Sequence, residues 1–301
     1  MAEQLRVVKR RIGSVQSTQK ITRAMELISS SRIIKAQQRV DAARPYAETM
    51  RRLLVSVAQN AGNLEHPLLA EREDVSTVGH IVIGSDRGLA GAYNSNVLRT
   101  TERDIAEHGK EARLFLTGKK AVSYFRFRGY DTSDSWTGIS DRPSIDDART
   151  VAQTAADAFS EGEVDQVRLT YTKFESAMRQ SVVVNQVLPL PREELDGDQD
   201  EDEGRRAGYE FEPAPEEILN YLLPRYLEST VYQALLEASA SEHAARRRAM
   251  KAATDNAEEL LEDLTREYNQ ARQAEITTEI MEVVGGAEAL SGASSGGHET
   301  N

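Results

Sequence analysis

The 301-residue sequence contains no cysteine. That excludes disulfides, thiolate nucleophiles, Cys-based zinc sites and any thiol redox switch. Aromatics make up only 6% of the chain, charged residues make up 29%, and the mean hydropathy is -0.53. Few aromatics with many charges suit long exposed helices better than one large core. No stretch approaches the roughly 18 uninterrupted apolar residues of a membrane span, so the chain is expected to meet a membrane only through partners. No secretory h-region opens the sequence. Met1–Arg11 is basic, as an organelle transit peptide would be. However, the helical pattern starts at Leu5 and runs on without a cleavage-like break, so the segment reads as mature protein.

The net charge is -12, unevenly spread: residues 1–52 carry +8 and the remainder -20. A basic segment on an acidic chain points to an acidic partner surface or a solvated helix face. Residues 3–58 hold one glycine, Gly13, and one proline, Pro45. Apolar residues recur there at helical spacing: Leu5, Val8, Ile12, Val15, Ile21, Met25, Ile28, Leu53, Leu54 and Val57. One helix of that length would run roughly 80 Å, and Pro45 is expected to kink or interrupt it. Residues 59–74 read as a linker.

Residues 75–190 change period. Expected strands are Val78–Ile83, Arg113–Thr117, Val167–Thr172 and Ser181–Val187. Helices are expected over Ser95–His108, Lys119–Phe127 and Ile145–Phe159, the last opened by a Ser144/Asp147 capping box. Alternating strands and helices predict a Rossmann-like α/β domain with a mostly parallel sheet.

Residues 191–214 form a linker whose run Glu193–Glu203 holds eight acids in eleven residues, too self-repelling to pack. From Pro215 a second long helix is expected, with a kink at Pro224 and a stop at Gly285-Gly286. Its seam runs through Leu219, Leu222, Tyr226, Leu235, Ala238, Met250, Ala253, Ala257, Leu260, Leu264, Tyr268 and Ala271, mostly at alternating steps of three and four. Residues 288–301 read as a disordered Gly/Ser-rich tail. The fold class is therefore α/β: a long antiparallel coiled coil of N- and C-terminal helices plus a Rossmann-like α/β domain.

Motifs for chemistry are scarce. There is no GxxxxGK[ST] phosphate loop. The nearest candidate, Gly84–Gly91, follows a strand but fits neither glycine fingerprint. A turn packing the α/β domain onto the coiled coil is the simpler reading. The five histidines (His66, His80, His108, His243 and His298) lack metal-ligand spacing, and the acidic run lacks EF-hand order. The basic N-terminal stretch has almost no aromatic interleaving, which argues against nucleic acid. No catalytic, cofactor-binding or metal residue is assigned. The residue pattern points to a mechanical or assembly role. The competing readings are a nucleotide-binding α/β enzyme with a coiled-coil arm and a passive coiled-coil scaffold.

Four segments carry a resemblance: Ile12–Lys35, Gly84–Asn94, Arg246–Asn256 and Tyr268–Ala287. In order and content they resemble the gamma-subunit family of F-type ATP synthases. The resemblance implies a central rotor of a proton-translocating complex, one copy per complex. Such a rotor carries torque between the membrane c-ring and the catalytic alpha and beta subunits, beside an epsilon subunit, and does no chemistry itself. It implies regulation of ATPase activity and proton flow, and a peripheral place on the cytoplasmic side of the cell inner membrane. Carried over by motif, Arg272, Gln273, Thr277 and Glu282 would meet beta near the tip, Arg246 would act on the upper half, and Arg23 and Met25 would face the acidic lever of beta. Tyr209, Phe211 and Glu212 would meet the rotor ring. The acidic run and the extended tail depart from the plainest family pattern, and the run is expected to tune coupling or ATPase latency.

Overall fold

The computed structural model describes residues 2–60, 66–72, 74–191 and 214–295. The acidic run and Tyr209, Phe211 and Glu212 lie outside the described residues. Among those described, no helix is long and apolar enough to cross a membrane. By internal packing the chain divides into Met1–Glu26 with Met250–Asn301, and Leu27–Ala249.

The chain opens with helix α1 (Ala2–Asn60), followed by a 3-10 turn (Pro67–Leu69). It continues with β1 (Thr77–Ile83), α2 (Tyr93–His108), β2 (Glu111–Thr117), α3 (Lys119–Phe127), β3 (Ser135–Trp136) and α4 (Ile145–Ser160). β4 (Gln166–Phe174), β5 (Gln180–Leu188) and a closing helix α5 (Pro215–Ser295) complete it. Neither proline interrupts its helix: α1 runs through Pro45 and α5 through Pro224. Each proline removes one ladder bond but ends neither helix. Exposure of Pro45 lets water satisfy the freed carbonyl.

The expected stop at Gly285-Gly286 is also corrected. α5 continues to Ser295, so the predicted disordered tail is helical at least that far. Neither glycine takes the positive φ of a helix-ending residue. Glycine in a helix interior costs about 1 kcal/mol relative to alanine, a penalty rather than a prohibition.

The sheet order is β3-β2-β1-β4-β5. β1 pairs in parallel with β2 and β4, and β2 with β3, but β4 and β5 are antiparallel. The exception follows from chain length. Only residues 175–179 link β4 to β5, and a parallel return needs a dozen or more. On one face α2 and α3 pack over Val82, Leu114 and Leu116. On the other, α4 packs with the 3-10 turn, the end of α1 (Leu54, Val57) and α5 from Leu219 to Ala238. Local chemistry sets the boundaries. Ser144 and Asp147 form the reciprocal capping box of α4, and α2 ends on Gly109 at φ 59°. Gly118, at φ 87°, lets the β2–α3 turn approach the β1 loop. A Cβ there would lie 2.5 Å from the Gly84 carbonyl oxygen.

Within Leu27–Ala249 the helices run antiparallel. Ala36 and Val40 cluster with Leu236 and Ala240, while Leu54 and Val57 share a core with Leu219, Leu223 and Leu227. The buried stripe of α1 differs from the expected one. Its buried residues are Leu5, Val8, Thr22, Ser29, Ile33, Ala36, Val40, Met50, Leu54, Val57 and Ala58. Ile21, Ile28 and Leu53 are exposed instead. On α5, Leu260 is likewise exposed.

Candidate functional site

The loop Gly84–Asn94 folds by using its own polar groups. Ser85 N donates to Asn94 Oδ1 (3.0 Å), the Ser85 hydroxyl to the Arg87 carbonyl (2.6 Å) and Asp86 N to Ser140 Oγ (3.0 Å). The Asp86 carboxylate accepts N–H bonds from Lys119 (3.1 Å), Gly138 (2.8 Å) and Ser140 (3.1 Å). Burial pushes the Asp86 pKa up, but these bonds outweigh it and hold the carboxyl below its ordinary value. A phosphate cradle needs backbone donors aimed at a bound anion. Here the loop's Ser85 and Asp86 amides are taken by Asn94 and Ser140, and its Asp86 carboxylate is an acceptor rather than an anion's donor. Asp86 thus ties the β1 loop to the start of α3 and to residues 138–140. Leu89 sits exposed at the tip with φ 60°.

α5 meets this loop through buried charge. Arg246 is only 6% exposed and donates to Glu242 Oε1 (2.5 Å) and to the Gly88 carbonyl through Nε (3.3 Å) and Nη2 (3.2 Å). Burial raises the pKa of Glu242, and the Arg246 charge opposes the rise. One residue on, His243 is pushed down to about 4 by burial, against the pull of Asp141. Its ring is therefore neutral at pH 7. Its Nε2 lies 3.3 Å from Asp141 Oδ1, the same oxygen that accepts from Arg32 Nη1 of α1 (2.6 Å). The Asp141 carbonyl also accepts from Ser239 Oγ (3.3 Å). The segment Gly138–Asp141 therefore links the sheet-side loop to both α1 and α5.

The structure places the other expected contact residues differently. Arg23 is exposed and Met25 half-buried on α1; Arg272, Gln273, Thr277 and Glu282 are exposed on α5. Thr277 Oγ1 donates to the Gln273 carbonyl (2.9 Å). Gln273 and Thr277 stand one turn apart, flanked by exposed Ile276 and Ile280. Arg246 does not join them. Its guanidinium bonds within the chain, to Glu242 and Gly88.

In the unit formed by Met1–Glu26 and Met250–Asn301, a buried hydroxyl pair joins the helices: Thr22 Oγ1 and Thr254 Oγ1 are 2.7 Å apart. Sequence reasoning missed that pair, and also Asp86, Asp141, Arg32 and Glu242. One signal was available for Glu242. It and His243 interrupt a run of alanine and serine from Ala238 to Ala245, the small-residue signature of a buried helix face.

Residues 4–290 match the ATP synthase family. The chain is 50% identical over 297 residues to an ATP synthase gamma chain of Parafrankia sp. (strain EAN1pec), covering 96% of this chain and 99% of that one. It is 47% identical over 304 residues to the gamma chain of Thermobifida fusca (strain YX), covering 98% and 99%. Among solved structures it resembles a chain in the central stalk/c-ring of the Tetrahymena thermophila mitochondrial ATP synthase. The TM-score is 0.57 at 27% identity, over 77% of this chain and 99% of that one. A chain of the Euglena gracilis mitochondrial ATP synthase shares the fold, with TM-score 0.64 at 18% identity over 100% and 99%.

Proposed function

We infer, because the chain belongs to the ATP synthase gamma-chain family, that it is the central rotor subunit of that complex. The observation that carries this reading is the near-full-length match across both terminal helices and the sheet. The subunit couples c-ring rotation to the alpha and beta subunits, beside epsilon, as conformational free energy between sites. We propose that it has no catalytic site of its own. The Gly84–Gly91 loop supports this, since its Ser85 and Asp86 amides donate to Asn94 and Ser140 and its Asp86 carboxylate accepts from the amides of Lys119, Gly138 and Ser140. We place it peripherally on the cytoplasmic side of the cell inner membrane, held there by partners.

The partner-facing residues we propose are Arg23 and Met25 on α1, and Arg272, Gln273, Thr277 and Glu282 on α5. All but half-buried Met25 are exposed, and the α5 set stands beside apolar side chains that the chain leaves uncovered. Tyr209, Phe211 and Glu212 remain candidates for the rotor-ring contact, outside the described residues. The test is reconstitution. The chain should co-purify with alpha and beta, and truncation before Arg272 should abolish coupled ATP synthesis. Synthesis that persists in the chain's absence overturns the reading.

A further inference from the structure

A cavity of about 420 Å³ opens between the start of α2, strands β4 and β5, and α5. Asn96, Thr172, Gln180, Ser241 and Arg248 supply its polar lining, and alanines and Val182 most of the rest. The lining includes no carboxylate, on a chain whose net charge is -12. Arg246, Arg247 and Arg248 follow one another on the α5 side. The first turn of α2 also borders the cavity. Its N-cap, Ala92, offers no side-chain cap, and that turn contains no acid, so the positive end of the helix is not neutralised locally.

Two further facts point to a ligand. Thr172 is 6% exposed and lines the cavity, yet its hydroxyl has no hydrogen-bond partner among the described residues. Buried hydroxyls are seldom left unpaired. Arg248 has five N–H donors. Two bonds hold the guanidinium at the rim, from Nη1 to the Ala177 carbonyl (3.1 Å) and from Nη2 to Gln180 Oε1 (2.6 Å). The remaining donors suit an acceptor-only guest.

We propose that this cavity binds a phosphate oxyanion, either free inorganic phosphate or the phosphate group of a nucleotide. A guanidinium, a helix N-terminus, a carboxamide and a hydroxyl together match a group that has several acceptor oxygens and no donor. The cavity borders the end of the Gly84–Gly91 turn at Ala90 and Gly91, while the Ser85 and Asp86 amides at its start donate to Asn94 and Ser140. It stands independently of the rotor reading.

The test is 31P NMR titration of the full-length chain with inorganic phosphate and, separately, with ATP, at constant ionic strength set with chloride. Saturable binding of at least one is expected. Arg248→Gln should weaken it about tenfold, the loss expected of a charge-assisted hydrogen bond. Arg247→Gln, a neighbouring exposed arginine outside the lining, should leave it unchanged. Ala245→Glu, which puts a carboxylate into the lining, should abolish it. If that variant fails to fold, the two arginine variants decide. Binding of phosphate but not ATP identifies the free ion as the ligand, and the reverse identifies the nucleotide. Binding that chloride removes in proportion to ionic strength, or that Arg248→Gln leaves intact, overturns the proposal. So does an acidic peptide that binds where both phosphates fail.

Discussion

The Thr22–Thr254 pair is the sharpest place to test how the terminal helices hold their register. The two residues are 8% and 3% exposed, and their hydroxyls lie 2.7 Å apart. Each hydroxyl also reaches a carbonyl of its own helix, Thr22 to Gln19 (3.0 Å) and Thr254 to Met250 (2.9 Å). Each has one proton, so the pair forms a relay: one hydroxyl donates across the interface and the other donates to its own helix. Thr22→Val keeps the volume and removes one member. It forfeits about 1 kcal/mol of net hydrogen bonding and leaves Thr254 without its cross-helix partner. Thr254→Val should cost a similar amount. The double variant replaces both partners with methyls of matching shape, which is close to neutral, and valine and threonine have similar helix propensities. The expected coupling is therefore about 2 kcal/mol, against zero for independent sites. Amide hydrogen exchange at residues 19–26 and 250–258 reads the local opening free energy directly. Single costs that add in the double variant would refute the relay. A polar pair inside an apolar seam is a known device for fixing helix register, at some cost in stability.

Arg246→Ala should destabilise the full chain by about 3 kcal/mol in urea unfolding, because Glu242 is left buried and unpaired. Replacing both residues with methionine should recover most of that loss. Burial, reinforced by Arg168 and His108 and opposed by Asp104, pushes His80 down to about 4. Its folded pKa lies below its unfolded value near 6.5, so its contribution is full above 6.5 and is lost as pH falls towards 4. His80→Gln should flatten the fall in melting temperature across that window, measured between pH 7 and 4. Gly118→Ala should cost about 3 kcal/mol in thermal unfolding, since it adds a positive-φ penalty to a 2.5 Å contact with the Gly84 carbonyl oxygen.

Strands β1, β2, β4 and β5, the capping box and both long helices were legible because each has a local cause, whereas the two-residue β3 was not. The buried stripe of α1 was not. Alternating steps of four and three from Val8 pass through Ile12, Val15, Gln19 and Thr22, then Glu26 and Ser29, to Ile33. Apolarity drew the reading to Ile21 and Ile28, one residue out of phase. Thr22 and Ser29 keep the seam because small side chains allow the helices to approach, and the Thr22 hydroxyl finds partners in Gln19 and Thr254. The Gly285-Gly286 pair does not stop α5, and Pro45 does not interrupt α1, for a different reason. Both act through penalties of a few kcal/mol at most, and a long helix held by packing absorbs them. Arg246 shows the limit of reading by motif. A match locates a residue along the helix but not the direction it faces, and in this chain Arg246 bonds to Gly88 and Glu242.

The distribution of side chains is inverted relative to a chain that functions alone. Glu242, His243 and Arg246 are buried, while Ile276, Ile280, Val283 and Val284 are each about half or more exposed on α5. At 100° per residue those four fall within one broad arc, away from the half-buried Tyr268, Ala271 and Glu275. Fully covering an isoleucine or valine is worth about 1.5–3 kcal/mol. Even at half exposure, four of them offer on the order of 4 kcal/mol to whatever encloses that end. A helix paired on one side cannot collect that free energy from its own chain. Non-directional apolar contact also suits a surface that must slide past its partner, because no single hydrogen bond has to break at each step. Polar Arg272, Gln273 and Thr277, on the same and the preceding turn, can supply the directional contacts such a surface lacks. Under the proposed assignment of Arg272, Gln273 and Thr277 as partner contacts, the apolar residues would serve as a bearing and the polar ones as a catch on one stretch of helix.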